Sequence, residues 1–580
     1  MTCAQSHGRR CRAGVKLMTA QKGDHACLLL PHMDYSGARI ICACNFLTVT
    51  KNILSSHGGI LTPFLSNGDF RPIASTEGLR RKAIRSAGVT LLGQGAAFFI
   101  QLGSTMVLAR ILTPSDFGVI TMVTTFSLLL RSFGLNGFTE LIMQREEMTH
   151  SLASNLFWIQ LAIGTLLTFG FAKSGRLLSI FFHNGAVAPV AEVMSLTVGL
   201  GCLGWIHLGL LQRAMQFRTT AIISFVGQLL LAIVAIVLAV LGFRYWSIVW
   251  GSIAQVIATV VGVWLACRWV PSLPCRASGT ASGVRFATNV YLRYAFGYST
   301  RNTDNLLVGW RYGARSLGFY KKAYDLFVVA ESQLMAPISA VAVSALSRVT
   351  HDRAQFQRFF LRAVSVLALL GMGIGAEIAL VGSDLMRILL GPGWGEAGQI
   401  FSLFGPGIGV MMLYGTHGWI HLSIGRPDRW FRWSLLEFAC TLTLFLITLH
   451  WGPSGIALAW TLSYFLLMFP SFWYAGQPIG LGIRPMLSAI WKFFAASAGA
   501  GLITRLLIQS MPNLAGLTGI RGAFIRVVFV SLIFFPLYSL GLIGLHGGSK
   551  SILEMLKPLR DILPKHADQP TTIAPKDTIA

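Results

Sequence analysis

Charge is what this chain has little of. Only 12% of its 580 residues are Asp, Glu, Lys or Arg, the acidic ones number 22 against 47 basic, and the mean hydropathy is +0.63. Soluble globular chains run near a quarter charged, so a soluble fold would have too little polar surface to cover this much apolar material. Also missing is the strict polar/apolar alternation of a membrane barrel: segments such as Ala221 to Gly242 are apolar on every face. Apolar windows of about twenty residues recur instead, the length a helix needs to cross about 30 Å of hydrocarbon. The expectation is an all-α, polytopic membrane protein.

Several chemistries lack their residues. Five of the nine cysteines (Cys3, Cys11, Cys27, Cys42, Cys44) crowd the first 44 positions and four (Cys202, Cys267, Cys275, Cys440) are scattered through or beside the apolar windows, which gives no disulfide framework and only a poor zinc pattern. His417 and His421 have the i, i+4 spacing of a helical zinc pair, but Gly418 stands where the catalytic motif needs glutamate. Gly391 to Gly395 lacks the lysine of a phosphate loop. No metal, cofactor or direct use of ATP is expected. There is no long outer loop of the kind a polysaccharide polymerase carries, and no acidic metal motif of a glycosyltransferase.

What is present is basic charge, net +25, placed in short loops rather than in one patch, which speaks against nucleic acid. Alternate loops collect most of it: Arg80, Arg81, Lys82 and Arg85; Arg213 and Arg218; Arg268, Arg276 and Arg285; Arg348, Arg353, Arg358 and Arg362; Arg426, Arg429 and Arg432. A bias of about two to one predicts cytoplasmic termini and an even number of spans. About fourteen are read: 88–110, 115–138, 151–172, 189–211, 219–241, 245–267, 287–310, 318–345, 360–382, 398–423, 431–450, 454–476, 485–508 and 522–545. Residues 1–79 differ from the rest and read as a disordered extension or an upstream mis-assigned start. The tail 547–580 offers a short interfacial helix near Leu553 to Leu563, interrupted by Pro558.

A repeat underlies the spans. Leu108-Ala-Arg-Ile-Leu-Thr-Pro-Ser-Asp-Phe-Gly118 and, two hundred residues on, Val308-Gly-Trp-Arg-Tyr-Gly-Ala-Arg-Ser-Leu-Gly318 both end a span on a basic residue, turn, and start the return helix at a glycine. Six spans separate the copies, so both run the same way through the membrane. Together with Leu141-Ile-Met-Gln-Arg-Glu-Glu, Asn155-Leu-Phe-Trp158, Gly242-Phe-Arg-Tyr-Trp246, Arg301-Asn-Thr-Asp-Asn-Leu-Leu-Val-Gly309, Leu317-Gly-Phe-Tyr-Lys-Lys-Ala-Tyr324, Leu389-Leu-Gly-Pro-Gly-Trp394 and Gly425-Arg-Pro-Asp428, these stretches make residues 80 to 480 resemble the Wzx-type polysaccharide-export flippases of the MOP superfamily. The resemblance implies two six-helix bundles (80–275 and 276–482) related by a parallel repeat, two extra transmembrane helices (483–546) and a central cavity. It also implies alternating-access transport of an undecaprenyl-diphosphate-linked oligosaccharide across the bacterial inner membrane, with a polymerase and copolymerase as pathway partners. The rival within the superfamily is a multidrug efflux antiporter, whose cavity should be acidic; Arg293 and Arg301 oppose it.

A diphosphate crossing hydrocarbon needs cations in a wet cavity, so ionisable residues inside spans are the candidates. Tyr294, Arg301, Asp304 and Asn305 fall on one helical stripe, with Arg293 a step to the side. Arg301 and Arg293 can grip phosphate through planar donor forks, or Arg301 can pair with Asp304 and Arg293 can snorkel. Asp325 and Glu331 are coupling-ion candidates, although Lys321 and Asp325 also make an i, i+4 pair. Gln94 and Gln101 suit sugar hydroxyls, Gln101 lying two hundred residues before Arg301. Trp158, Trp205, Trp246 and Trp250 can stack on sugars or form the interfacial belt. Arg131 and Glu377 are intramembrane charges whose facing the sequence leaves open.

Overall fold

The computed structural model describes residues 63–65, 68–70, 76–275 and 279–548. The N-terminal cysteines and the tail around Leu553 lie outside them. Among the described residues the regular elements are helices, with isolated bridges pairing Phe64 with Phe70 and Asp69 with Thr149.

In chain order the helices are α1 (Thr76–Ile111), α2 (Pro114–Ser132), which runs on through a π-turn (Phe133–Phe138) into α3 (Thr139–Gln144), α4 (His150–Phe181), α5 (Val187–Cys202), α6 (Trp205–Arg213), α7 (Phe217–Val240) and α8 (Trp246–Cys267). There follow α9 (Thr280–Arg348), α10 (Arg353–Leu390), α11 (Gly395–Gly415), α12 (His417–Ser423), α13 (Pro427–Thr448), α14 (Gly452–Gly476), α15 (Ile483–Gln509), α16 (Pro512–Ala515) and α17 (Gly519–His546). Nine helical segments among the described residues are long and apolar enough to cross a membrane, or ten if the bent pair α5 and α6 is one crossing. The chain is a multi-pass membrane protein. Neither α1 nor α9 is among the nine, α1 contributing the shorter apolar stretch Gly95–Ile111, and α13 with α14 passes as one segment, Pro427–Ile479.

Local chemistry explains the boundaries. At Thr113-Pro-Ser-Asp116 the Asp116 amide donates to the Thr113 hydroxyl (3.3 Å), the Thr113 amide donates to the Asp116 carboxylate (3.0 Å), and Pro114 occupies the first turn, a reciprocal cap that starts α2 sharply. In the matching stretch Val308 to Gly318, α9 is broken at Gly313, whose φ of 76° and ψ of −175° only glycine adopts without strain. The sequence reading of two spans, 287–310 and 318–345, therefore corresponds to one helix interrupted between them.

Those two junctions meet. A Cβ on Gly118 would fall inside the carbonyl of Ala314, and a Cβ on Gly318 inside the carbonyl of Pro114. The contact is reciprocal, each glycine opposing the position four residues before the other. Trp394 is wedged beside it: its indole donates to the Ala109 carbonyl (2.8 Å), and its ring meets Phe117 and Phe319 edge-on at 5.5 and 5.8 Å. Arg110 donates to the Ile388 carbonyl (3.0 Å), Arg244 pairs with Asp116 (3.4 Å), and Lys322 lies 4.4 Å from the Phe117 ring. The Leu-Gly-Pro-Gly-Trp run is thus a wedge beside the close contact of α2 with α9.

Helices α15 and α17 pack on α10. Arg526 forms a fork with Asp384, its Nε donating at 2.9 Å, and the Ser531 hydroxyl donates to buried Glu377 at 2.6 Å. Glu377 therefore faces α17, where a single half-buried hydroxyl meets part of its need for donors.

The segment before α1 also contributes. Phe64 is buried among Leu141, Met148 and Trp269 in a core cluster with α3, α4 and α6, and Arg213 lies 5.0 Å from the Phe70 ring. Phe64→Ala should cost about 3 kcal/mol of stability by cavity formation, read as earlier thermal aggregation of the detergent-solubilised protein; an unchanged transition would show that this segment is dispensable.

Candidate functional site

A cavity of about 590 Å³ is lined wholly by residues of α9 and α11 to α14. From α9 before Gly313 come Arg293, Phe296, Gly297, Thr300 and Arg301, spaced i, i+3, i+4, i+7 and i+8 along one helical face. From α9 beyond Gly313 come Tyr324, Phe327, Val328, Met335 and Ser339. The other wall is built by Met411, Tyr414, Gly415 and His417 of α11 and α12, by Trp430, Phe431, Ser434, Glu437, Phe438 and Thr441 of α13, and by Trp460 and Tyr464 of α14. Both arginines expected from the sequence reach this cavity and both are exposed.

The stripe read from spacing divides in the fold. Asp304 and Asn305 are fully buried and lie behind the cavity wall instead of lining it. The Asp304 carboxylate accepts from the Tyr320 hydroxyl at 2.6 Å and from the Trp460 indole at 3.0 Å, and the Asn305 amide donates to it at 2.7 Å. Arg293, set to the side by the sequence reading, belongs with Arg301. Asp304 acts through Trp460, fixing a ring of the cavity from the rear. Asp304→Ala would leave two buried side-chain donors, the Tyr320 hydroxyl and the Trp460 indole, without this acceptor, a penalty of about 2–4 kcal/mol, so its thermal transition should fall well below that of Tyr320→Phe, which removes one donor only; equal transitions would contradict this anchoring role.

The remaining candidates sit elsewhere. Asp325 pairs with Lys321 at 2.8 Å and Lys322 at 3.6 Å, and Lys322 in turn covers Phe117, so this carboxylate is part of the closed junction. Gln101 is exposed and outside the cavity. The side chains of Gln94 and Glu331 lie outside those described. Trp158, Trp246 and Trp250 do not line the cavity, and Trp205 is buried against Gly134 and Gly201, a packing role that neither reading of it anticipates. Arg131 is half-buried on α2. No group of three or more His, Cys, Asp or Glu among the described residues could hold a metal ion.

Sequence reasoning missed the aromatic wall, Tyr324, Trp430, Trp460 and Tyr464. Tyr324, Trp460 and Tyr464 are unremarkable aromatic residues of their spans, and Trp430 stands one position before the span 431–450. The signal that could have found them is that α13 and α14 carry rings together with polar Ser434, Glu437 and Thr441 inside a span.

Comparison with known proteins agrees with this fold. The family model described as polysaccharide biosynthesis protein matches residues 107–399. The chain is 23% identical to the succinoglycan biosynthesis transport protein ExoT of Rhizobium meliloti (strain 1021), over 62% of this chain and 72% of that protein. It is 20% identical to the lipopolysaccharide biosynthesis protein WzxC of Escherichia coli (strain K12), over 72% and 86%, and 22% identical to the teichuronic acid biosynthesis protein TuaB of Bacillus subtilis (strain 168), over 63% and 77%. Its fold is similar to that of the lipid II flippase MurJ in an inward closed conformation, with a TM-score of 0.63, 14% identity and coverage of 82% of this chain and all (100%) of that one. It is also similar to an inward-facing MATE multidrug transporter of the MOP superfamily, with a TM-score of 0.52, 13% identity and coverage of 66% and 94%.

Proposed function

The chain belongs to the polysaccharide biosynthesis protein family, and from that premise we propose that it is a flippase which moves an undecaprenyl-diphosphate-linked oligosaccharide from the cytoplasmic to the outer leaflet of the bacterial inner membrane. The product feeds a surface polysaccharide, whether exopolysaccharide, O-antigen or capsule, with a polymerase and copolymerase acting downstream. The reading is of a transporter, not an enzyme.

The observation that carries it is the pair Arg293 and Arg301 on one face of an aromatic cavity whose other wall is built from membrane-capable segments. Diphosphate loses its hydration on leaving water, at a cost that grows steeply with charge, and two guanidinium forks can replace that hydration while remaining wet themselves. An efflux pump for cationic drugs fits less well, since Glu437 is outnumbered by the two arginines among the charged residues lining the cavity.

In this reading the chain makes fourteen crossings, two sets of six followed by α15 and α17, of which nine or ten segments among the described residues are long and apolar enough by themselves. Reciprocal packing of Gly118 on Ala314 and Gly318 on Pro114 supports a two-fold relation between the sets. The loop charge bias supports an outer-side position for that junction. Transport then alternates between this state, closed outside, and one in which the junction parts.

Deleting the gene should make the complete lipid-linked repeat unit accumulate while surface polysaccharide falls, and restoring it should reverse both. Normal polysaccharide with altered drug tolerance would instead favour efflux.

A further inference from the structure

The cavity has two kinds of wall. One is the cationic face of α9. The other, from α11 to α14, holds hydrogen-bond acceptors among rings, and its chemistry is opposite to what a phosphate needs. His417 is buried, and its Nδ1 lies 2.5 Å from the Tyr414 carbonyl. A carbonyl oxygen cannot donate, so Nδ1 carries the proton and Nε2, which has no partner in the protein, is left a bare acceptor. Glu437 lines the same wall and is hydrogen-bonded by the Tyr414 hydroxyl, which itself receives the Trp433 indole at 2.8 Å. A bare imidazole nitrogen and a carboxylate accept O–H donors and repel phosphate oxygens.

The rings beside them are held in place. Trp460 is fixed through its indole by Asp304 and stacks on Tyr464 at 5.6 Å and 19°. Trp430 stands edge-on to His417, with ring centroids 6.5 Å apart. Flat apolar faces next to acceptors are what a pyranose requires: its C–H face lies on a ring and its hydroxyls donate outward. The cavity volume of 590 Å³ falls in the range of small-ligand sites, about 300–1,000 Å³, so it takes a short saccharide and not a polymer.

We propose that His417, Glu437, Trp430 and Trp460 form a carbohydrate subsite that reads the sugars of the lipid-linked substrate, while Arg293 and Arg301 hold its diphosphate. The inference rests on the flippase reading and adds to it the residues that set sugar specificity.

The test uses the full-length protein in lipid nanodiscs and two probes: farnesyl diphosphate, which has no sugar, and the free oligosaccharide released by mild acid from the lipid-linked pool of the gene-deleted host. Titration calorimetry should show Glu437→Gln and His417→Ala each weakening oligosaccharide binding at least fivefold while farnesyl diphosphate stays within twofold of wild type. Arg301→Ala should do the reverse. Glu437→Gln is nearly isosteric, so its result decides the matter even if His417→Ala disturbs the buried wall. Oligosaccharide binding unchanged in Glu437→Gln would overturn the subsite and leave the flippase reading standing on the diphosphate arm. Wild-type protein that binds neither probe would remove the flippase reading and the subsite with it.

Discussion

Leucine at Gly118 should abolish transport, by at least tenfold, while the protein still inserts and purifies as a single species. Its Cβ alone would occupy the space of the Ala314 carbonyl, and backbone cannot yield as a flexible side chain does. Helices α2 and α9 would be forced apart, and Trp394 would lose its seat between Phe117 and Phe319. Gly318→Leu should have the same effect through Pro114, because the contact is reciprocal. Gly103→Ala is the control: nothing lies within 4 Å of the added Cβ, and alanine suits a helix interior better than glycine. Wild-type transport by Gly118→Leu, measured in membrane vesicles at matched protein level, would show that closure at this junction is no part of the cycle.

The second large effect is expected at the cavity. Arg301→Ala should lower transport at least tenfold, Arg293→Ala should do likewise, and the double variant should fall less than the product of the two, since both hold one diphosphate. Arg301→Lys keeps the charge but not the planar fork and should recover only part of the rate. A double variant whose loss equals the product would mean that the two arginines act on separate groups.

Much of this was legible in the sequence, and the reasons are physical. Apolar length gave the all-helical, multi-pass class, because lipid forces backbone groups to pair within each segment, whereas nine or ten segments among the described residues, not fourteen, are long and apolar enough to cross. The two glycines singled out by their matching surroundings, Gly118 and Gly318, both stand where close approach of backbone forbids a larger residue. The family resemblance read from short motifs is borne out by the family match. Burial was not legible. Spacing gives an angle around a helix but not which neighbour arrives there, and Asp304 is claimed by Trp460, 156 residues away in sequence. The same limit hid Trp205 in a glycine-lined slot, and it hid the tautomer of His417, which depends on a carbonyl one turn back. Arg293 shows the limit from the other side: eight residues from Arg301, it shares the cavity because Phe296, Gly297 and Thr300 fill the steps between.

The most direct measurement of the central claim is transbilayer movement by the purified protein. Proteoliposomes carrying the host's own undecaprenyl-diphosphate-linked repeat unit, fluorescently labelled on the sugar, should expose the label to a membrane-impermeant quencher from both leaflets with wild-type protein and only from the outer leaflet with Arg301→Ala. Movement no faster than in protein-free liposomes, from wild-type protein shown to be folded, would contradict the flippase account.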